Sequence, residues 1–157
     1  IYSGFAFSSN DYRTEGIPLI RISNIKNNTI DLSECVFIKS TIDDRFIISR
    51  GDLLIAMSGA TTGKMGIYEN DNIAYLNQRV GNIKVLSDTL LLEYRNLYML
   101  SKVDDILKIA YGGAQPNISA SAIENLNIML PPQSEQKRIV SKIEDLFGFI
   151  KTIEESL

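Results

Sequence analysis

The segment Ser58-Gly59-Ala60-Thr61-Thr62-Gly63-Lys64 places glycines, hydroxyls and a lysine side by side, the inventory of a loop that binds phosphate. Its spacing is wrong for a nucleotide. A Walker loop has four residues between its glycines and a Ser or Thr after its lysine. Here Ala60, Thr61 and Thr62 alone separate the glycines, and Met65 follows Lys64. Two readings remain: a tight strand-to-strand turn, or an exposed loop whose amides, hydroxyls and Lys64 meet DNA phosphates or base edges.

Other polar clusters share this character. Leu19-Ile20-Arg21-Ile22-Ser23-Asn24-Ile25-Lys26 alternates apolar and polar residues, which reads as a strand with Arg21 a solvated or ion-paired surface residue. Asn24, Lys26, Asn27 and Asn28 then form either a turn or a polar edge reaching a nucleic-acid groove. Asn77-Gln78-Arg79 is a surface turn or a base-reading triplet, since Gln and Asn pair bidentately with adenine and Arg with guanine. The glycine-rich stretch 112–119 holds Gln115 and Asn117, and loops of this kind both cap helices and carry binding residues. The candidate DNA contacts are therefore Lys26, Asn27, Ser58, Thr61, Thr62, Lys64, Gln78, Arg79, Gln115 and Asn117.

Catalysis has little to work with. The chain has no histidine and one cysteine, so neither a Ser-His-Asp nor a Cys-His system can be assembled. Cys/His zinc sites are excluded for the same reason. The acidic residues are scattered rather than set in a motif, and no cofactor is expected. Cys35, in the run Cys35-Val36-Phe37-Ile38, reads as a buried small hydrophobe, and a lone thiol suits the cytoplasm. No apolar run reaches the length of a membrane span. The net charge of −3 and pI near 5.0 argue against a strongly basic nucleic-acid binder, although binding depends on how cations cluster.

The elements that must position these clusters are mostly β as far as residue 86. Candidate strands are Leu19–Ser23, Cys35–Ile38, Asp52–Met57, Lys64–Tyr68, Ile73–Leu76 and Val80–Leu86, separated by Asn-, Gly- and Asp-rich turns. Short strands at this spacing suggest a curved or barrel-like sheet. Apolar periodicity then predicts a helix over Leu90–Ile109, ended by a left-handed glycine in Tyr111-Gly112-Gly113. A short helix is expected at Ser121, from the capping box Ser121-x-x-Glu124, followed by a last strand at Leu126–Leu130.

Pro131-Pro132 stops that strand and opens a helix through Leu157. Ile139, Ile143, Leu146, Ile150, Ile153 and Leu157 recur at alternating spacings of four and three, the heptad seam of a helix built to lie along another. With Ile139 at position d, the flanking e and g sites include Val140, Phe147 and Phe149, so the apolar face is wider than one seam. The helix is expected to pack on its own domain while also meeting a partner helix. Its 25 residues from Gln133 would span roughly 38 Å, about one turn of B-DNA. The expected class is α+β: a curved, mostly-β domain over 1–131 with a few helices, then a long coiled-coil helix over 132–157.

In order along the chain, Gly16-Ile17-Pro18-Leu19-Ile20-Arg21-Ile22-Ser23-Asn24-Ile25, Gly51-Asp52-Leu53-Leu54-Ile55-Ala56-Met57-Ser58-Gly59-Ala60 and Gly63-Lys64 are followed by two more segments. These are Gly113-Ala114-Gln115-Pro116-Asn117-Ile118-Ser119 and Leu130-Pro131-Pro132-Gln133-Ser134-Glu135-Gln136-Lys137-Arg138-Ile139-Val140. Together they resemble the specificity (S) subunit of type I restriction-modification systems. The resemblance implies a non-catalytic subunit that recognises double-stranded DNA and directs methylation and cleavage by separate modification and restriction subunits. It also implies one target recognition domain followed by its spacer helix, with a second half or a homodimer supplied through that helix. The abrupt start at Ile1 and the clipped helix suggest a segment of something longer. The competing expectation is a helix-mediated protein-interaction scaffold without sequence-specific DNA binding.

Overall fold

The computed structural model describes residues 1–39, 43–112 and 115–156. Among these residues the strands are β1 (Tyr2–Ser3), β2 (Ile17–Ile20), β3 (Ile25–Lys26), β4 (Asn28–Ile30), β5 (Val36–Ile38), β6 (Ile47–Ile48), β7 (Leu53–Ala56), β8 (Met65–Ile67), β9 (Ala74–Leu76) and β10 (Val80–Ile83). The helices are α1 (Leu92–Ser101), α2 (Val103–Ala110), α3 (Ala120–Glu124) and α4 (Gln133–Glu154). The chain divides into two compact units, one of residues 1–84 and 102–126, the other of residues 85–101 and 127–157.

The first unit holds all the strands, in two open mixed sheets rather than a closed barrel. One runs β1-β10-β7-β8-β4-β3 and the other β5-β2-β9-β6. All neighbours are antiparallel except β2 with β9 and β4 with β8. The β2–β9 register sets Leu19 beside Tyr75 and Ile20 beside Leu76, and side-chain alternation sends these pairs to opposite faces. Ile20 and Leu76 join Leu54, Ala56, Val80 and Tyr68 in a core common to both sheets. Leu19 and Tyr75 pack with Ile38 in a second cluster, covered by Phe7 and Tyr12. Burial on both faces explains why β2, β7 and β9 are apolar runs without alternation.

At the tip of the β3–β4 hairpin, Asn27 and Asn28 have φ of 50° and 62°. A two-residue turn of type I′ needs positive φ at both positions, and Asn tolerates it best after Gly. The expected strand over Leu19–Ser23 stops at Ile20, because the chain winds into a 3₁₀ turn at Ile22–Asn24. That turn is held by buried Asn24, whose Oδ1 accepts the Arg21 amide at 2.9 Å while its Nδ2 donates to the Asp31 carbonyl at 3.0 Å.

The second unit is helical. The helix expected over Leu90–Ile109 ends at Ser101, where the Ser101 hydroxyl donates to the Tyr98 carbonyl at 2.7 Å and competes with the backbone ladder. The strand expected at Leu126–Leu130 is instead chain outside any strand, serving α1. Tyr94 donates its hydroxyl to the Met129 carbonyl at 2.8 Å, and Tyr98 donates to the Asn127 carbonyl. Gln136, 0 % exposed, ties the start of α4 to the chain before α1. Its Oε1 accepts the Leu91 amide at 2.9 Å, and its Nε2 donates to the Thr89 and Pro131 carbonyls at 2.8 Å each.

Two smaller expectations also shift. Helix α3 is capped by Ser119, whose hydroxyl accepts the Ala122 amide at 3.1 Å, not by Ser121. Helix α2 is closed by Tyr111 at φ −96°, and Gly112 is not among the residues with positive φ; Gly113 lies outside the described residues. No helix among the described residues is long and apolar enough to cross a membrane.

Asn82, in β10 between β1 and β7, is 1 % exposed, and neither of its amide atoms has a hydrogen-bond partner. It shares a strand face with Val80 and lies opposite Leu54, so the amide meets apolar surroundings at a desolvation cost. Asn82→Val is expected to stabilise the protein by about 1 kcal/mol and to raise its melting temperature by roughly 2–4 °C. A thermal scan showing a lower midpoint would refute this.

Candidate nucleic-acid interface

Three of the polar clusters singled out in the sequence meet at one residue, Met57, just past β7. Its amide donates to the Arg79 carbonyl at 2.9 Å, and its carbonyl accepts the Ile118 amide at 2.8 Å. One residue thereby fastens the turn after β9 on one side and the loop before α3 on the other. Ser58 then bridges to Asn117, and the Gly59 amide donates to the Pro116 carbonyl at 3.3 Å.

The loop from Ser58 to Lys64 is folded back by its own backbone. Gly63 donates to the Ala56 carbonyl at 2.9 Å, and Ala56 donates to the Lys64 carbonyl at 2.9 Å. Gly59 and Gly63 have φ of 88° and 85°, which side chains with a Cβ rarely adopt. A Cβ on Gly63 would also lie 2.8 Å from Leu107 of α2. The buried Thr62 hydroxyl bonds the Gly59 and Pro116 carbonyls at 2.6 and 3.2 Å. It is therefore occupied in holding the loop. Thr61 is half-buried, and its hydroxyl has no partner.

Three concavities open around this junction. One, of about 600 Å³, is walled by Ser58, Ala60, Arg79, Gln115 and Asn117. A second, of about 370 Å³, shares Arg79 and adds Gln78, Asn77, Arg21, Tyr12, Ser9 and Ser23. A third, of about 420 Å³, shares Ala60 and is lined by Asn27, Asn28, Thr62, Lys64, Leu107 and Tyr111. Among the described residues no carboxylate lines any of them. Of the residues expected from sequence, Asn27, Ser58, Thr62, Lys64, Gln78, Arg79, Gln115 and Asn117 border these concavities; Lys26 and Thr61 do not.

Several cations of this unit are ion-paired away from the concavities. Arg13, which donates to the Asn10 and Tyr12 carbonyls, and Lys84 form no ion pair among the described residues and line none of the three. Lys26 is held by Asp31 at 2.8 Å, Lys39 by Glu15 at 2.7 Å, Arg45 by Asp43 at 3.3 Å and Arg50 by Asp71 at 2.6 Å. Arg21, Lys64 and Arg79 form no ion pair among the described residues, and all three face the concavities. Sequence reasoning missed Arg21, which looked like an ordinary strand-surface residue. It is half-buried instead, with its guanidinium 5.6 Å from the Tyr12 ring centroid. No group of His, Cys, Asp or Glu able to hold a metal ion occurs among the described residues.

The helix residues split into two sets. In α4, Val140 is buried, and Ile139 and Ile143 are half-buried. Leu146, Phe147, Phe149, Ile150 and Ile153 are exposed; Leu157 lies outside the described residues.

The family model for the type I restriction modification DNA specificity domain matches residues 1–157. The chain belongs to this family. Relatives include the type I restriction enzyme EcoBI specificity subunit of Escherichia coli, 28 % identical over 155 residues, covering 94 % of this chain and 30 % of that protein. The EcoKI specificity subunit of Escherichia coli strain K12 is 27 % identical over 144 residues, covering 88 % and 31 %. The fold matches the HsdS subunit from Thermoanaerobacter tengcongensis with a TM-score of 0.78 at 17 % identity, over 98 % of this chain and 36 % of that one. It also matches a chain from a study of assembly and conformational transition in a type I R-M system, with a TM-score of 0.79 at 16 % identity, over 98 % and 37 %. This specificity domain thus spans about a third of the length of the proteins it matches.

Two predictions concern the scaffold of this site. Thr62→Val should destabilise the protein by about 1 kcal/mol, while Thr62→Ser should melt like the parent in a denaturation scan. Asp31 is held well below the usual carboxylate range, first by its hydrogen bond from Lys26 and then by those from Ser33. Its folded value lies below its unfolded one, so this contribution to stability is complete above about pH 4. The contribution is lost as pH falls through the lower, folded value. An NMR titration in which the Asp31 carboxyl turns over at or above about 3.9 would contradict the assignment.

Proposed function

We propose that this chain reads DNA sequence as a target recognition domain of a type I specificity subunit. In this reading residues 1–131 contact double-stranded DNA, and residues 132–157 belong to the helix that spaces this domain from a second one. Helix α1 belongs to the first part by sequence, although it packs against α4. The chain itself performs no catalysis. It directs methylation and cleavage by modification and restriction subunits, in the cytoplasm.

The observation that carries the reading is the junction at Met57. It gathers three separate stretches of chain, ending in Ser58, Arg79, Gln115 and Asn117, around surface free of carboxylates. Amide side chains suit base edges, and Lys64, Arg79 and the loop amides suit phosphates. Family membership and the curated relatives, each described as a specificity subunit, support the same reading.

A second reading, a protein-interaction scaffold built on α4, is favoured by the exposed Leu146, Phe147, Phe149, Ile150 and Ile153. The two differ in what the β unit does. Deleting the gene should abolish one bipartite methylation motif across the host genome, and purified complex should bind duplexes carrying that motif with affinity falling steeply in salt. Leu146→Glu with Ile150→Glu should weaken assembly through the helix. An unchanged methylome after deletion, together with loss of assembly in the double variant, would leave only the scaffold.

A further inference from the structure

We propose that the cavity between Arg21 and Arg79 holds one phosphate of the DNA backbone and so sets the register of this domain on its target; the assignment rests on the function proposed above. Both arginines line the same concavity of about 370 Å³, with the hydroxyl residues Ser9 and Ser23 and the amide of Gln78 beside them. Every ionisable side chain in that wall is thus cationic or phenolic. No carboxylate among the described residues neutralises either guanidinium.

Arg21 carries the argument furthest. Its Nε is buried and has no hydrogen-bond partner, and a buried donor on a charged group is costly unless something accepts from it. The guanidinium lies against the Tyr12 ring, which restricts its plane. Its backbone is fixed as well, because Asn24 accepts the Arg21 amide at 2.9 Å. The result is a positioned guanidinium with no ion-pair partner among the described residues, a group that suits the oxygens of a phosphate.

The shape of the site distinguishes phosphate from base. A base-reading arginine must project into a groove about 8.5 Å deep. Arg21 is half-buried at the wall of a concavity, beside a short 3₁₀ turn, and does not project. Phosphates stand out from the duplex and can enter a concave site. Gln78 and Arg79, exposed on the turn that Met57 anchors, complete the rim.

The test uses the complete protein carrying this chain, in its native complex, with target duplexes in which neutral methylphosphonates replace the phosphates one linkage at a time. Arg21→Gln and Arg79→Gln should each lower affinity about tenfold, on matched and mismatched duplexes alike. Each should flatten the salt slope by about 1 and leave the recognised motif unchanged. One methylphosphonate linkage should weaken the parent complex yet cost nothing further in either variant. Arg79 is exposed, so Arg79→Gln gives a result even if Arg21→Gln does not fold.

Unchanged affinity in a folded variant, or losses that simply add to those of every methylphosphonate, would overturn the proposal. So would a variant that relaxes preference at one base position while keeping the salt slope, which would make the cavity a base reader. Millimolar inorganic phosphate that stabilises the parent but not the variants, with no linkage coupled to either arginine, would make it a free-anion site and overturn the proposal equally. If the parent complex shows no sequence preference at all, it is the function proposed above that fails.

Discussion

The candidate site depends on two backbone hydrogen bonds made by Met57, to Arg79 and Ile118. The residue follows a fully buried strand, so its own position is set by the core and not by the loops. Each loop is therefore referred to a rigid element through a single short link. Gly59, Ser58 and Thr62 add further ties to Pro116 and Asn117. Loops that vary in side chain can be carried on such a junction without moving it, because the junction is made almost entirely of main chain.

The two open sheets provide the rigidity behind it. Parallel pairing of β2 with β9 brings strands far apart in sequence into register and places two apolar clusters on opposite faces of one sheet. The helical unit obeys a different logic. Gln136 makes three hydrogen bonds to backbone, using both amide protons and its carbonyl oxygen, so a polar residue is buried there without an orphaned group. Saturation of this kind holds one arrangement rather than several, since displacement would break three bonds together.

The strands around Leu53–Ala56, Met65–Ile67 and Ala74–Leu76 were legible in the sequence, because short apolar runs stood between Gly and Asn turns. The long helix was legible from its periodicity and its two prolines. The break at Ser101 was not, since neither Gly nor Pro marks it and the apolar spacing runs on across it. Gln136 and Arg21 were missed for a related reason: polar residues on an otherwise surface-like face look solvated until tertiary partners are known. Gln136 did carry one clue, standing four residues before Val140 on what becomes the buried stripe. The candidate loops were identified by type, but their convergence follows from long-range hydrogen bonds that no local pattern encodes.

The pairing of cations with carboxylates has a consequence for encounter. Away from the concavities, Lys26, Lys39, Arg45 and Arg50 are each matched by an acid, which neutralises them locally, while Arg21, Lys64 and Arg79 at the concavities have no such match among the described residues. For the polyanionic partner proposed above, cations without an acid beside them exert a stronger pull than paired ones. The overall negative charge, which at first counts against a nucleic-acid partner, then weighs less than where the unpaired cations stand.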